Sequence, residues 1–319
     1  MSHYQPGNNP LKIKSLLGTE LLNKEQIQTV LDTAFFLKDS EKKQKPFPTT
    51  LKNKTAILLF FEPSTRTRSS FELAAKHLGA NTVVLSKQGT SAEKGETLLD
   101  TARNIEAMNP DVIVLRHSSA GSPHHLDKTL RLPIVNAGDG FHEHPTQALL
   151  DLMTILEFKK TFLGLKVLIV GDIAHSRVAR SDIYALKTMG AEVSVCGPPT
   201  LLPPKVEQLG VKVYSVLEEA VKEQDVIICL RIQFERLSAG QSPSLGEYSK
   251  FYGVNQRILS FCKPDVLIMH PGPVNRGIEL SPDVADGKHS VILNQVGNGV
   301  LVRMAILHLL TGNEALRLN

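Results

Sequence analysis

Short aliphatic runs alternate with longer amphipathic segments along most of this chain, and this alternation restricts the fold more than any other feature. The runs are continuously apolar, which is typical of parallel strands that helices cover on both faces. The predicted strands are Thr55 to Phe61, Thr82 to Leu85, Asp111 to Leu115, Ile134 to Asn136, Lys166 to Val170, Glu192 to Val195, Lys212 to Tyr214, Asp225 to Leu230 and Val266 to Met269. The pattern therefore predicts an α/β fold with parallel sheets.

A chain of 319 residues, 42% of them hydrophobic, divides more naturally into two domains than one. The segment Pro145 to Lys160 is predicted as one long helix, because it opens with a proline, which is common at the first helical position. We place the boundary at this helix, with residues 1–147 and a C-terminal helix at about 290–319 in the first domain and residues 148–289 in the second. The predicted fold is two doubly wound domains, each with a central parallel sheet flanked by helices, joined by interdomain helices.

The first helix is predicted from its cap. Asn23 can cap a helix that runs to Lys43, and Gln26 three residues later completes a capping box. Its buried face would consist of Ile27, Val30, Leu31, Ala34 and Leu37.

Composition excludes several classes of protein. The formal net charge of +4 is mild and the basic residues are scattered, so nucleic-acid binding is not indicated. The residues before Pro10 are polar and the apolar runs are too short to span a bilayer, so no membrane partner or secretory signal is expected. Three widely spaced cysteines, Cys196, Cys229 and Cys262, fit reduced core residues better than disulfides or a metal site. We expect a cytoplasmic protein.

The pentapeptide Ser64-Thr65-Arg66-Thr67-Arg68 directly follows the first predicted strand. Pro63 and Ser64 fit a helix start, with Ser64 as its cap. The first helical turn presents unpaired N–H groups at the positive end of the dipole, so backbone, hydroxyl and guanidinium groups could hold an oxyanion together. On this pentapeptide alone, a capped helix with surface arginines is an equal alternative.

Polar clusters also follow five later strands. In open parallel sheets, ligands bind outside the carboxyl ends of the strands, so clusters from both halves predict one interdomain site. These clusters are Arg116 with His117, Asn136 to His144, Gly171 to Arg177, Arg231 to Arg236 and His270 to Asn275.

The arginines in these clusters have two readings. Arg116, Arg177 and Arg231 could each be a surface ion-pair partner, but guanidinium groups also bind carboxylates bidentately. The segment after the fifth strand lacks the G-x-G-x-x-G pattern, so a dinucleotide is not indicated.

The other candidate residues are equally open when taken singly. His142 and His144 could suggest a metal, but no third ligand at a recognisable spacing supports one, and none is predicted. Lys94 lies in a small polar loop and could simply be solvated. Gly272 lies between two prolines, which stiffen a turn whose carbonyls could accept from a ligand NH2 group.

The chain lacks a Ser/His/Asp triad, a reactive-cysteine context, a P-loop and a metal cage, so covalent catalysis has no obvious nucleophile. Arginines, hydroxyls, one histidine and carbonyls suit a direct reaction between two bound anions. Catalysis would then come from orientation and from stabilising the charge that develops in the transition state, without a cofactor.

Five motifs together resemble the aspartate/ornithine carbamoyltransferase family. Two of them, Ser64 to Arg68 and His144-Pro145-Thr146-Gln147, do not separate its two branches. The segments Lys94 to Glu96, Arg231 to Arg236 and His270-Pro271-Gly272-Pro273 are similar to the aspartate branch, whereas the ornithine branch would carry His-Cys-Leu-Pro near the last of these. The resemblance runs from about Phe60 to Arg303.

The resemblance implies transfer of a carbamoyl group from carbamoyl phosphate to the α-amino group of L-aspartate in pyrimidine synthesis. The implied catalytic residues are Arg66, Thr67, Lys94, Arg116 and His144. Those implied to bind carbamoyl phosphate are Ser64, Thr65, Arg66, Thr67, Arg116, His144, Gln147, Gly272 and Pro273. Those implied to bind aspartate are Lys94, Arg177, Arg231 and Gln233, with Arg231 as the discriminator against ornithine.

In the family, Lys94 and a neighbouring hydroxyl come from the adjacent subunit of a trimer, so the resemblance implies a homotrimer with shared active sites. Thr90 and Ser91 both lie close enough in sequence to supply that hydroxyl. Regulatory chains or other pyrimidine-pathway enzymes are further partners that the sequence leaves open. A carbamoyltransferase for another amine, such as ornithine, and a catalytically silent anion-binding relative are the competing hypotheses.

Overall fold

The computed structural model describes residues 10–86, 96–232 and 244–312. Its strands are β1 (Thr55–Phe60), β2 (Asn81–Ser86), β3 (Val112–His117), β4 (Ile134–Asp139), β5 (Lys166–Val170), β6 (Glu192–Cys196), β7 (Lys212–Tyr214), β8 (Val226–Cys229) and β9 (Leu267–Met269). Each predicted strand is confirmed, with ends that shift by up to three residues.

The helices fill the intervals between the strands. They are α1 (Lys24–Lys42), α2 (Thr65–His77), α3 (Leu98–Ala107), α4 (Ser122–Thr129), α5 (Pro145–Lys159), α6 (Arg177–Met189), α7 (Leu217–Ala220), α8 (Leu245–Tyr252), α9 (Gln256–Leu259), α10 (Pro282–Ala285) and α11 (Ile292–Thr311), with short 3₁₀ turns at Pro199–Leu201 and Val206–Leu209. Among the described residues, no helix has both the length and the apolar character needed to cross a membrane.

The cap of α1 is the one predicted. Asn23 accepts from the backbone amide of Gln26 at 2.9 Å, and the Gln26 side chain accepts from the Asn23 amide at 2.9 Å. The predicted apolar face is buried as expected, at Ile27, Val30, Leu31, Ala34 and Leu37.

The chain divides into two compact units, Met1–Met153 with Gly297–Asn319 and Thr154–Val296. Both divisions fall inside helices, one in α5 and the other in α11. The first unit has its own apolar core around β1 and β3, including Ile57, Leu59, Ile113 and Leu115, and the second has one around β5 and β8, including Leu168, Val170, Ile227 and Cys229.

Each unit contains one wholly parallel sheet. The strand order is β2-β1-β3-β4 in the first and β7-β6-β5-β8-β9 in the second. The chain reverses its direction of winding between β1 and β3, and again between β5 and β8. In doubly wound sheets a ligand crevice opens at such a reversal, outside the carboxyl ends of the two strands. The topology therefore predicts one ligand-binding crevice in each unit, outside the carboxyl ends of β1 and β3 in the first and of β5 and β8 in the second.

Candidate active site

The N-terminus of α2 lies at the winding reversal of the first unit. Ser64 occupies the N-cap position that the sequence predicts, with the extended backbone usual for an N-cap (φ −160°, ψ 95°), but its side chain makes no capping hydrogen bond. The cap was predicted from residue type alone. Its position is confirmed, but the capping hydrogen bond expected of a serine there is not formed. The first turn of α2 contains no acidic residue, so nothing within it offsets the positive end of the helix dipole.

Arg116 lies on β3 beside this helix start. Its backbone pairs in register with Phe60, the last residue of β1. The guanidinium donates from Nη1 to the carbonyl of Ala137 at 3.0 Å and from Nη2 to Glu62 Oε1 at 2.7 Å. Only 8% of Arg116 is exposed, so the ion pair fixes a buried guanidinium where strand β1 gives way to α2.

His144 directly precedes α5, and its carbonyl accepts from the backbone amide of Gln147 at 2.9 Å. The segment before it is held by Asp139 at the end of β4, whose Oδ1 accepts from Asn136 Nδ2 and from the Glu143 amide. Glu143 in turn accepts from both the backbone amide and the hydroxyl of Thr19. His144 is itself buried, at 5% exposed. Hydrogen bonds between buried groups hold the turn that contains it in place.

Gln147 lies in the first turn of α5 and is 7% exposed. Its side-chain Nε2 donates to Asp151 Oδ1 one helical turn later, at 3.1 Å. The sequence predicted Gln147 as a ligand-binding residue but not the carboxylate behind it.

Arg303 on α11 connects the helices of this unit. Its Nη1 donates to Ser70 Oγ on α2 at 2.9 Å and to the carbonyl of Gly299 at 3.0 Å. Burial lowers the pKa of the Arg303 guanidinium to about 10, an effect that Asp151 opposes and Arg116 adds to. At neutral pH the group therefore stays charged, close to both Asp151 and Arg116.

In the second unit, Arg177 and Arg231 follow the two strands that flank the reversal. Arg177 opens α6 and is 6% exposed, and Ser176 caps that helix by accepting from the Ala179 amide at 3.1 Å. Gly171, which directly follows β5, has φ +133°, and a Cβ there would lie 3.0 Å from the Cβ of Leu230, the residue before Arg231. Only glycine permits this close approach, which brings the two arginine-bearing segments side by side.

The His270-to-Arg276 turn is held from inside the second unit. His270 Nδ1 accepts from the Gly272 amide at 2.8 Å, so that nitrogen carries no proton, and Nε2 donates to Glu279 Oε1 at 3.2 Å. Glu279 also accepts from the Asn275 amide at 2.5 Å. The Gly272–Pro273 peptide bond is cis. The hydrogen bonds that His270 and Glu279 make hold the predicted carbonyl-bearing turn in place.

Some predicted residues lie outside the described part of the chain. These are Thr90, Ser91, Lys94 and Gln233.

One histidine grouping differs from the sequence-based reading. His142 lies near His124 and Asp139, and the three side chains each offer a ligand atom within 4.8 Å of the others. Because His124 comes from α4, sequence spacing alone could not identify it. Asp139 Oδ2, however, already accepts from the Gly121 amide at 2.7 Å and pairs with His142 Nδ1 at 3.1 Å. The polar groups of this aspartate are thus satisfied by the protein itself.

Sequence reasoning missed three charged residues around the first-unit cluster, which we define as Ser64 to Thr67, Arg116, His144 and Gln147. Glu62 pairs with Arg116, Asp151 accepts from Gln147, and Arg303 lies near Asp151. The available signals were a carboxylate one turn after Gln147, flanked by leucines, and a lone arginine within the apolar stretch of α11.

Comparisons with known proteins identify the class to which this fold and these clusters belong. Residues 14–157 match the carbamoyl-phosphate-binding domain of aspartate/ornithine carbamoyltransferases, and residues 163–310 match their aspartate/ornithine-binding domain. The chain belongs to the aspartate/ornithine carbamoyltransferase family.

Individual relatives indicate the branch of that family. The chain is 59% identical over 300 residues to an aspartate carbamoyltransferase catalytic subunit of Syntrophus aciditrophicus, an alignment that covers 94% of this chain and 97% of the relative. An aspartate transcarbamoylase structure from Trypanosoma cruzi, in complex with carbamoyl aspartate and phosphate, has a TM-score of 0.85 and 30% identity, and covers 95% of this chain and 97% of its own. An ornithine carbamoyltransferase from Pyrococcus furiosus has a TM-score of 0.84 and 34% identity, covering 95% and 98%. The fold is common to both branches, whereas the 59% sequence identity lies with an aspartate enzyme.

Proposed function

We propose that this carbamoyltransferase transfers the carbamoyl group of carbamoyl phosphate to the α-amino group of L-aspartate, giving N-carbamoyl-L-aspartate and phosphate, in pyrimidine synthesis. One observation carries the proposal: arginines stand at the winding reversal of both sheets, as two anionic substrates require. The identity to a relative named for the aspartate reaction supports the choice of acceptor.

Carbamoyl phosphate is assigned to the first-unit cluster. Arg66, Thr67 and Arg116 hold the phosphate and carbamoyl oxygens, and Ser64 and Thr65 donate to the phosphate. The absence of acidic residues from the first turn of α2 supports a dianion at this end of the helix. The buried guanidinium of Arg116 adds a fixed fork of donors.

The carbamoyl end is assigned to His144, Gln147 and the Gly272-Pro273 turn. His144 polarises the carbonyl, and Gln147 accepts from the carbamoyl NH2 group, as do carbonyls of Gly272 and Pro273. Support for these roles comes from the burial of His144 and Gln147 and from the internal hydrogen bonds that fix the Gly272 turn.

L-Aspartate is assigned to Arg177 and Arg231, one for each carboxylate, with Gln233 and Lys94 in support. Two guanidinium groups suit a substrate with two carboxylates and would repel the side-chain ammonium of ornithine. Arg231 is therefore the specificity residue in this proposal.

The chemistry needs no covalent enzyme intermediate. The neutral α-amine attacks the carbamoyl carbon, and the carbonyl π pair moves to oxygen, where Arg116 and His144 stabilise the oxyanion. As the carbonyl re-forms, the bond from carbon to the bridging oxygen breaks and phosphate leaves with that electron pair. The departing phosphate accepts the proton that the attacking nitrogen loses, so charge and atoms balance.

A homotrimer with shared sites is part of the proposal, with Lys94 supplied by a neighbouring subunit. The first unit has exposed apolar side chains that such contacts could cover: Leu73 is 48%, Val83 44% and Val84 37% exposed. Val83 and Val84 lie on β2, an edge strand of the first sheet. Regulatory chains and other pyrimidine-pathway enzymes are additional partners compatible with this function.

The free cysteines support a reducing, cytoplasmic location. Burial raises the pKa of Cys196 to about 12 and that of Cys262 to about 11, so both thiols stay protonated and unreactive at neutral pH.

A product assay tests the reaction. Purified protein receives ¹³C-labelled carbamoyl phosphate with L-aspartate or with L-ornithine, and mass spectrometry identifies the product. We expect carbamoyl aspartate and no citrulline. If citrulline is the only product, the chain is an ornithine carbamoyltransferase and the proposal is wrong. If neither amine gives a product, the hypothesis of a catalytically silent anion-binding relative is supported instead.

A further inference from the structure

Asp151 has a specific geometric relationship to Gln147. Both lie on α5, four residues apart, and Gln147 Nε2 donates to Asp151 Oδ1 at 3.1 Å. Asp151 is 1% exposed and Gln147 is 7% exposed, so the contact lies in the interior of the protein. A carboxylate can only accept hydrogen bonds, which forces the NH2 end of the glutamine amide to face it.

The consequence concerns the other end of the same amide. With Nε2 turned to Asp151, the carbonyl oxygen Oε1 points away from the carboxylate. A flipped amide would bring Oε1 against a carboxylate oxygen, where two acceptors repel each other. The pair therefore leaves Gln147 one orientation, with an acceptor directed away from Asp151.

Arg303 explains why a carboxylate is tolerated at this buried place. The Arg303 guanidinium lies close enough to Asp151 for mutual electrostatic stabilisation and is itself anchored to Ser70 Oγ on α2 at 2.9 Å. A buried negative charge without a counter-charge would be costly. Arg303 supplies that counter-charge.

We infer that Asp151 is a positioning residue that holds the Gln147 amide with its carbonyl oxygen turned toward the NH2 group of bound carbamoyl phosphate. This inference rests on the proposed function, in which Gln147 accepts from that group. Asp151 touches no substrate and acts only through Gln147.

Binding of two ligands separates this role from a structural one. Phosphonoacetamide carries the same CONH2 group as carbamoyl phosphate, whereas inorganic phosphate has none. In Asp151→Ala, affinity for phosphonoacetamide falls about five- to ten-fold, because one oriented hydrogen bond is lost. Affinity for phosphate is unchanged or higher, since removing a carboxylate leaves the positive charge of Arg116 and Arg303 less compensated.

A second variant and a double-mutant cycle distinguish loss of positioning from misfolding of Asp151→Ala. Asp151→Asn keeps the shape but presents a donor as well as an acceptor, so it loses phosphonoacetamide affinity by a smaller factor. In a Gln147→Ala background neither change at 151 reduces that affinity further. Asp111→Asn is the matched control, because Asp111 accepts from the Thr55 amide of the same unit at 2.8 Å, and its change affects neither ligand.

The outcomes are distinct. Equal loss of both ligands, additive loss in the Gln147→Ala background, or no selective loss in either Asp151 variant overturns the inference. If Gln147→Ala itself leaves phosphonoacetamide binding unchanged, the assignment of Gln147 in the proposed function fails instead.

Discussion

Arg116 and Glu62 form an ion pair of 2.7 Å between residues 54 positions apart, with side chains only 10% and 16% exposed. The carboxylate therefore occupies one edge of the guanidinium that the proposed function assigns to the phosphate and carbamoyl oxygens. An anionic ligand and Glu62 compete for the same cation.

This competition predicts that Glu62→Gln binds inorganic phosphate more tightly than the wild type. The glutamine oxygen can still accept from Arg116, but the negative charge that repels the ligand is gone. One charge at this range changes affinity by about three- to ten-fold after screening. Isothermal titration at low and high salt measures the difference, which shrinks as salt rises.

Glu72→Gln is the control for this change. Glu72 lies on α2, pairs with Lys76 at 2.7 Å and is 33% exposed, so its replacement alters net charge equally. An equal gain in phosphate affinity there would show that Glu62 acts only through overall charge.

Arg66→Ala is expected to lower kcat by about 10²- to 10³-fold, since a cation aimed at developing charge is removed. Arg66 is exposed in the second position of α2, so the melting temperature should change little. Arg68→Ala removes the same charge one half-turn further and serves as the control. Steady-state kinetics measures kcat for both variants. An equal fall in kcat in Arg66→Ala and Arg68→Ala would show that the helix needs basic charge in general rather than Arg66 in particular.

Arg116 and its contacts show which features of the site could be predicted from the sequence and which could not. The position of Arg116 at a strand end was predictable, because an aliphatic run precedes it and parallel strands carry ligands at their carboxyl ends. Its pairing with Glu62 was not, since that contact depends on the register that sets Phe60 beside Arg116. Sequence patterns specify elements, whereas contacts between elements depend on packing that no local pattern contains.

Gln147 and His142 illustrate the difference between contacts within one helix, which sequence spacing predicts, and contacts between elements, which it does not. The Gln147–Asp151 contact follows from i,i+4 spacing on a helix and was open to prediction once the helix was proposed. The approach of His124 to His142 joins α4 to a turn after β4, and nothing in either segment specifies it. Likewise, residue type predicted Ser64 at a cap, but only the folded structure shows that its side chain makes no capping bond.

The proposed homotrimer with shared active sites predicts complementation between two inactive variants. Lys94→Ala and Arg66→Ala each lack one half of every site in a trimer of their own. Random mixing gives trimers in which one site joins an intact Arg66 to an intact Lys94, for about a quarter of wild-type activity. The assay uses dissociated and reassembled mixtures, with separately assembled proteins mixed afterwards as the control. Mixed trimers that stay as inactive as their parents would place Lys94 in the site of its own subunit.

His308 predicts how acid affects stability. It lies on α11, is 5% exposed, and its Nδ1 lies 3.0 Å from Thr50 Oγ1. Burial lowers the pKa of this imidazole below its ordinary value of about 6.5. From about pH 6.5 down to the folded-state pKa, the folded protein binds fewer protons than the unfolded chain, so the free energy of unfolding falls as pH falls.

His308→Gln removes that dependence. The difference in unfolding free energy between wild type and variant, from urea titrations, is therefore expected to be larger at pH 8 than at pH 5. His125→Gln, at an exposed position of α4, controls for the loss of a histidine as such. If the His308→Gln difference stays constant over this range, or grows toward pH 5, then protonation of His308 does not oppose folding and the burial argument is wrong.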